Sequence, residues 1–149
     1  MITHIFPMPK PKAKSRFLLD SDVSIWIIRG NKKIIEAVSK IVNDQSVVIS
    51  VLTVSEIYKN SFPEEEPSNR HFFKWHNQIP IDFTIAKLAG EYWHRYRSVN
   101  SNLIDYLIAA TCRIKKIALI TCNTRHFPMR DIKIVDPLTW KVKFFIFYN

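Results

Sequence analysis

Short apolar runs rich in β-formers alternate with longer helical stretches along nearly the whole chain, and this alternation limits the fold more than any other feature. RFLLD (16–20) and SVVISVL (46–52) read as buried strands, IPIDF (79–83) as a third, and IALIT (117–121) and IKIVD (132–136) as two more. Helical periodicity runs through 23–29 and through 32–43, where Ile34, Ile35, Val38, Ile41 and Val42 share one face. Thr53 opens a helix that carries VSEIYKN. PEEEPSN (63–69) reads as a charged, proline-bounded loop ahead of a short aromatic helix at 70–77. A further helix at 84–97 turns Ile85, Leu88, Ala89 and Tyr92 or Trp93 inward, and NLIDYLIAATC (102–112) begins another.

Strands that are apolar throughout belong in a mainly parallel sheet covered by helices on each side, with right-handed connections. The expected architecture is therefore α/β, a three-layer α/β/α sandwich. The 149 residues, 47% of them hydrophobic, suit one domain with a real core. Its expected extent is 16–137, after a basic arm at 1–15. The hydrophobic extension at 138–149, LTWKVKFFIFYN, is open between an added strand, an interface segment and an appendage foreign to the domain.

No apolar run approaches the roughly 20 residues that span a bilayer. MITHIFPMPKPKAKSR lacks the continuous apolar core of a signal peptide. Two cysteines, without zinc-ligand spacing, point to a reducing compartment, so the expected location is the cytoplasm. The net charge of +9 is concentrated at the ends. Lys10, Lys12, Lys14 and Arg16 supply four charges, and Lys141 and Lys143 two, so the body carries about three. A basic surface favours polyanions, while basic tails serve solubility equally well.

NLIDYLIAATC keeps one carboxylate, Asp105, in an otherwise apolar stretch. Burying an ionised acid is costly unless a partner, a hydrogen bond or a metal offsets it, although an acid in the first turn of a helix also favours the macrodipole. In an open α/β sheet, ligands bind beyond the carboxyl ends of the strands. Asp20 closes the first strand, with Asp22 two residues on; Glu56 lies early in the helix after the second strand; Asn123 follows IALIT. Asp105 joins them if the start of its helix lies at that edge. Each also has an ordinary structural explanation. Thr53 and Glu56 match a capping box, Asn102 and Asp105 a similar cap, Asp22 an N-cap, and Asn123 a left-handed loop residue. Together, however, several carboxylates in one cleft repel one another unless a cation sits between them. An oxygen-rich site of this kind suits Mg²⁺ or Mn²⁺, ions that activate water and stabilise charge in phosphodiester cleavage.

RFLLDSDVSIW, SVLTVSEIYKN, NLIDYLIAATC and ALITCNTRHF, in this order and spacing, resemble the PIN domain, and within it the VapC-type toxins of bacterial toxin–antitoxin pairs. The resemblance runs from about Arg16 to Pro137 and rests on the ordered set of four. It implies a PIN-like sandwich and an endoribonuclease dependent on Mg²⁺ or Mn²⁺. It also implies a homodimer held inactive by a cognate antitoxin; with no apolar span, no membrane partner is expected. Asp20 matches the first acid of the family, Glu56 the second and Asp105 the third; Asn123 matches a fourth position that holds Asp or Asn. These four are the implied catalytic and metal-binding residues. Asp22 stands where the family often has Asn and would reach the metal through water. Thr121 matches a hydroxyl that supports the first acid. The implied reaction leaves a 5′-phosphate and a 3′-hydroxyl, with Asp105 or Glu56 orienting the attacking water.

This chain departs from the pattern in having only Gly30 and Gly90. Asn100 and Asn102 are expected to make the left-handed turn that glycine makes before the third acid. Lys115-Lys116 is expected to end that helix without a glycine cap. Asn123 removes one negative charge from the site, which lowers the expected metal affinity.

Arg125, His126, Lys59 and Arg29 are candidate contacts to RNA phosphates. Trp75, Tyr92, Trp93 and Tyr96 fall at helical spacings that suit core or interface, although an exposed ring can stack a base. Cys112 reads as core. One rival reading is a PIN-like module that binds RNA or antitoxin without cutting. A more distant one is a phosphatase of the haloacid-dehalogenase type, with Asp20 as nucleophile, Asp22 as acid and Ser50 on phosphate. That fold also needs a lysine and an acidic pair after later strands, and IALIT is followed by TCN.

Overall fold

The computed structural model describes residues 15–143. Positions 1–14 of the expected basic arm and 144–149 of the C-terminal extension lie outside the described residues. In chain order the elements are β1 (Ser15–Leu19), α1 (Ser21–Ile28), α2 (Lys32–Val42), β2 (Ser46–Ser50), α3 (Val51–Lys59), α4 (Glu66–Trp75), β3 (Gln78–Ile79), α5 (Phe83–Tyr96), α6 (Leu103–Lys115), β4 (Ala118–Ile120), β5 (Ile134–Val135) and β6 (Val142–Lys143). Single 3₁₀ turns occupy Pro63–Glu65 and Thr124–His126.

The strands form one sheet in the order β3-β2-β1-β4-β5-β6, with β6 antiparallel to β5 and every other pair parallel. Period-two alternation of the side chains divides the core into two clusters. Leu18, Val48, Leu119 and Ile134 face α5 and α6 and pack with Ile85, Ala89, Tyr106, Ile108 and Cys112. Phe17, Leu19, Val47, Ile49, Ala118 and Ile120 turn the other way, against Val23, Ile27, Val38, Ile57 and Phe72. A three-layer α/β/α sandwich is the result. In α2, Ile34, Val38 and Val42 are buried and Ile35 and Ile41 partly so, which matches the stripe read from the sequence.

Several boundaries differ from the sequence reading, each for a local reason. SVVISVL is strand only to Ser50, whose hydroxyl accepts from Leu52 N at 3.2 Å and starts α3 two residues before Thr53. Thr53 therefore lies inside the helix, fully buried, and no capping box with Glu56 forms. Ser50 is also fully buried, so it is not exposed to make the phosphate contact that the phosphatase reading allowed it. PEEEPSN is not a loop: Pro63 opens a 3₁₀ turn and Pro67 sits in the first turn of α4, where a missing N–H is harmless. IPIDF contributes only Ile79 to a two-residue strand, because Asp82 caps α5 by accepting from Ile85 N at 2.9 Å. IKIVD shortens to Ile134–Val135, and the first described residues of the C-terminal extension include an added strand, Val142–Lys143.

The left-handed positions also fall elsewhere. Asn43, Lys116, Trp140 and Gly30 have positive φ, whereas Asn100, Asn102 and Asn123 do not. Lys116 itself, at φ 56 and ψ 48, ends α6 in place of a glycine.

Candidate functional site

β1 lies between β2 and β4, so the carboxyl ends of these three strands open onto one edge. α1 and α3 start at that edge, and α6, which runs back to feed β4, starts there too. Asp20 is the first residue past β1. It caps α1 by accepting from Ser21 N at 2.8 Å, and its second oxygen accepts from the Thr121 hydroxyl at 2.9 Å. Asp20 is 4% exposed and Thr121 fully buried. Burial above all, then the charges of Asp22 and Asp105, push the Asp20 carboxyl up to about 8, while the Ser21 and Thr121 hydrogen bonds oppose the rise.

Asp22 is in the first turn of α1 and is not its cap. Val23 N donates to one of its oxygens at 2.7 Å, and Cys122 N, across the gap from β4, donates to the other at 3.0 Å. Burial raises its carboxyl, with smaller contributions from Asp105 and Asp136. Asp136 went unremarked in the sequence, although it follows β5 at the same edge, as Asp20 follows β1. The rule that found Asp20 finds Asp136 as well.

Asp105, 7% exposed, faces the sheet from the first turn of α6. Asn102 caps that helix alone, through Ile104 N at 3.1 Å. The Asp105 carboxylate turns instead to Asn100, whose Nδ2 donates to it at 2.8 Å and also reaches the His126 carbonyl at 3.1 Å. Asn100 further accepts from Asn102 N at 3.0 Å and from the Tyr106 hydroxyl at 2.6 Å through its own carbonyl. It thus shapes the turn with its side chain, not with a left-handed backbone. His126 Nδ1 stands 3.3 Å from the same Asp105 oxygen.

Glu56 reaches the edge from α3, where its Oε2 accepts from the Ser21 hydroxyl at 2.6 Å. Its Oε1 is buried with no hydrogen-bond partner, as is Thr53 Oγ1 three residues before it. Asn123 N donates to Thr121 Oγ1 at 3.0 Å, and its carboxamide is exposed. Arg125, His126 and Lys59 are exposed, whereas Arg29 is taken up by Glu65 at 2.8 Å and the Asn60 carbonyl at 3.2 Å. Arg29 therefore drops out as a free cation. Cys112 is buried in the core, and burial pushes the Cys122 thiol up to about 12, so neither is a ready thiolate.

The donors at this edge are all oxygen, partly desolvated, mutually repelling, and one of them is orphaned. That set fits a hard divalent cation by chemistry. The side chains are spread rather than gathered: among the described residues, no group of three or more His, Cys, Asp or Glu is close enough to hold an ion as a cluster. Among those residues, no helix is long and apolar enough to cross a membrane.

A mainly parallel α/β/α sandwich with acidic side chains at the carboxyl edge of its sheet is the class of protein these observations define. A family model described as "PIN domain" matches residues 17–133, and the chain belongs to that family. It is 32% identical over 114 residues to Ribonuclease VapC10 of Mycobacterium tuberculosis, spanning 75% of this chain and 86% of that protein. Against Ribonuclease VapC19 of the same organism the identity is 29% over 115 residues, spanning 75% and 92%. The fold is similar to DNA-bound VapBC from Salmonella typhimurium, with a TM-score of 0.69, 22% identity and coverage of 83% and 98%. A toxin–antitoxin complex from Klebsiella pneumoniae gives 0.65, 24%, 80% and 96%.

Proposed function

We propose that this chain is an endoribonuclease that hydrolyses RNA phosphodiester bonds with a bound Mg²⁺ or Mn²⁺. It is the toxin of a toxin–antitoxin pair, acting in the cytoplasm as a homodimer. The observation that carries the chemistry is that Asp20, Asp22 and Asp105 share one sheet edge, where burial first and neighbouring acids second hold the Asp20 and Asp22 carboxyls up, a cost that a divalent cation would relieve. The ribonuclease names of two relatives and the toxin–antitoxin complexes among the similar folds support the substrate and the partner.

Asp20, Glu56, Asp105 and Asn123 would hold the ion, and Asp22 would reach it through water. When bound, the ion supplies a water of lowered pKa and offsets the charge that builds on the phosphate. Thr121 fixes one oxygen of Asp20, Asn100 fixes one of Asp105, and Ser21 fixes one of Glu56 while its Oε1 stays unpaired. This outer set keeps the acids oriented before substrate arrives. In the hydrolysis, a water oxygen joins phosphorus, the bond from phosphorus to O3′ breaks, and a proton ends on that oxygen. The products are a 5′-phosphate and a 3′-hydroxyl. Arg125, His126 and Lys59 are available to phosphates of the bound strand.

The test is cleavage of mixed fluorogenic RNA oligonucleotides by antitoxin-free protein in Mg²⁺, Mn²⁺ or EDTA, beside an Asp20→Asn control. Metal-dependent cutting that the control lacks is the expected result. Folded protein that stays silent with both metals would replace this reading with a binding module.

A further inference from the structure

The carboxyl end of α5 carries cations and rings that the catalytic reading leaves unused. Arg97, the C-cap of the helix, places its guanidinium 5.3 Å from the Trp93 ring centre, and its Nη1 donates to His94 Nδ1 at 3.1 Å. Arg95 lies 5.9 Å from the Tyr96 ring in the same manner. Trp93 is fixed in turn, because its indole N–H donates to the Ser101 carbonyl at 3.2 Å. Among the described residues neither Arg95 nor Arg97 meets a carboxylate, and both are exposed. Basic residues in a last helical turn do favour the macrodipole. That accounts for the charge but not for an exposed Arg97 guanidinium held over the Trp93 ring and by His94 with no carboxylate partner.

The place of this surface matters as much as its chemistry. Asn100 follows Arg97 by three residues, so their Cα atoms are separated by roughly 11 Å at most. Asn100 touches both Asp105 and the carbonyl of His126, the residue after Arg125. Arg97 and Arg125 therefore lie in the two segments that Asn100 joins to Asp105. A stacked guanidinium is pre-organised for phosphate, since it loses little freedom on pairing. Rings beside such cations suit single-stranded nucleic acid, whose bases are free to stack.

We infer that the α5 end, with Arg97 over Trp93 and Arg95 beside Tyr96, is a docking surface for single-stranded RNA. It holds the strand beside the Asp105 edge, in continuity with Arg125. The inference rests on the nuclease reading for its biological sense but not for its measurement. Binding of a fluorescein-labelled single-stranded RNA is followed by anisotropy in EDTA, where no cutting occurs, over a series of salt concentrations. Arg97→Ala should weaken binding about fivefold near 0.1 M salt and lower the slope of log K against log salt by about 0.7, the share of one phosphate contact. Lys40→Ala on α2, an equal loss of charge far from the edge, should leave both unchanged. An Arg97→Ala protein that matches Lys40→Ala in affinity and slope overturns the inference, whatever its nuclease activity. A wild-type chain that never cuts RNA yet binds it through Arg97 would overturn only the nuclease reading and uphold the surface.

Discussion

Asn100 Nδ2 stands 2.8 Å from the Asp105 carboxylate and 3.1 Å from the His126 carbonyl, so one amide joins the third acid to the turn that follows β4. Replacing it with alanine removes the donor while the Tyr106 hydroxyl keeps its bond to the backbone carbonyl. We expect Asn100→Ala to lower kcat or Mn²⁺ affinity by about 10- to 100-fold, the usual range for a residue that orients a metal ligand. Its melting temperature should fall by only a few degrees. Steady-state kinetics and calorimetric Mn²⁺ titration would reveal the effect, and an unchanged kcat with unchanged affinity would remove Asn100 from the site.

Asp20 serves both helix α1 and the proposed ion, and substitutions separate the two tasks. Asparagine caps a helix as well as aspartate does, whereas alanine gives up about 1 kcal/mol. Asp20→Asn and Asp105→Asn should therefore both fold and both lose metal-dependent cleavage. If either variant cut RNA at the wild-type rate, the acid set would be misassigned.

The buried Asp20 carboxyl, pushed up to about 8 from the ordinary 3.8, gives metal-free protein a definite pH dependence. Between those values the folded chain holds a proton that the unfolded chain has released, so stability falls as pH rises through the window. Melting in EDTA should show a declining Tm from about pH 4 to about pH 8. The decline should be smaller in Asp20→Asn, and smaller in wild type with Mn²⁺ present. A wild-type slope identical to that of Asp20→Asn would mean that Asp20 ionises normally.

Lys116 occupies the left-handed conformation in which glycine carries no Cβ penalty. Lys116→Gly should stabilise the fold by about 0.5–1 kcal/mol. That corresponds to about 1–4 °C in Tm, with cleavage unaltered because the residue ends α6 at the far edge of the sheet.

The core and the edge were legible because they depend on local pattern: β1, β2 and α2 are apolar at the periods their elements require. What escaped the sequence depended on pairs. Whether Ser50 or Thr53 starts α3 turns on which hydroxyl meets a free amide, and both are plausible caps in isolation. Pro63 and Pro67 look like loop residues until their first-turn positions are known. Arg29 looked available for RNA because Glu65 is 36 positions away. The sequence suggests a backbone turn at Asn100, whereas its side chain is what reaches Asp105 and the His126 carbonyl.

Thr121 and Asp20, bonded in the finished fold, are 101 positions apart, and Cys122 and Asp22 are 100 apart. A chain made from its N-terminus therefore carries Asp20, Asp22 and Glu56 long before Thr121 and Cys122 follow β4 to fix the two aspartates in place. The proposed site is complete only once the strand at 118–120 pairs with β1.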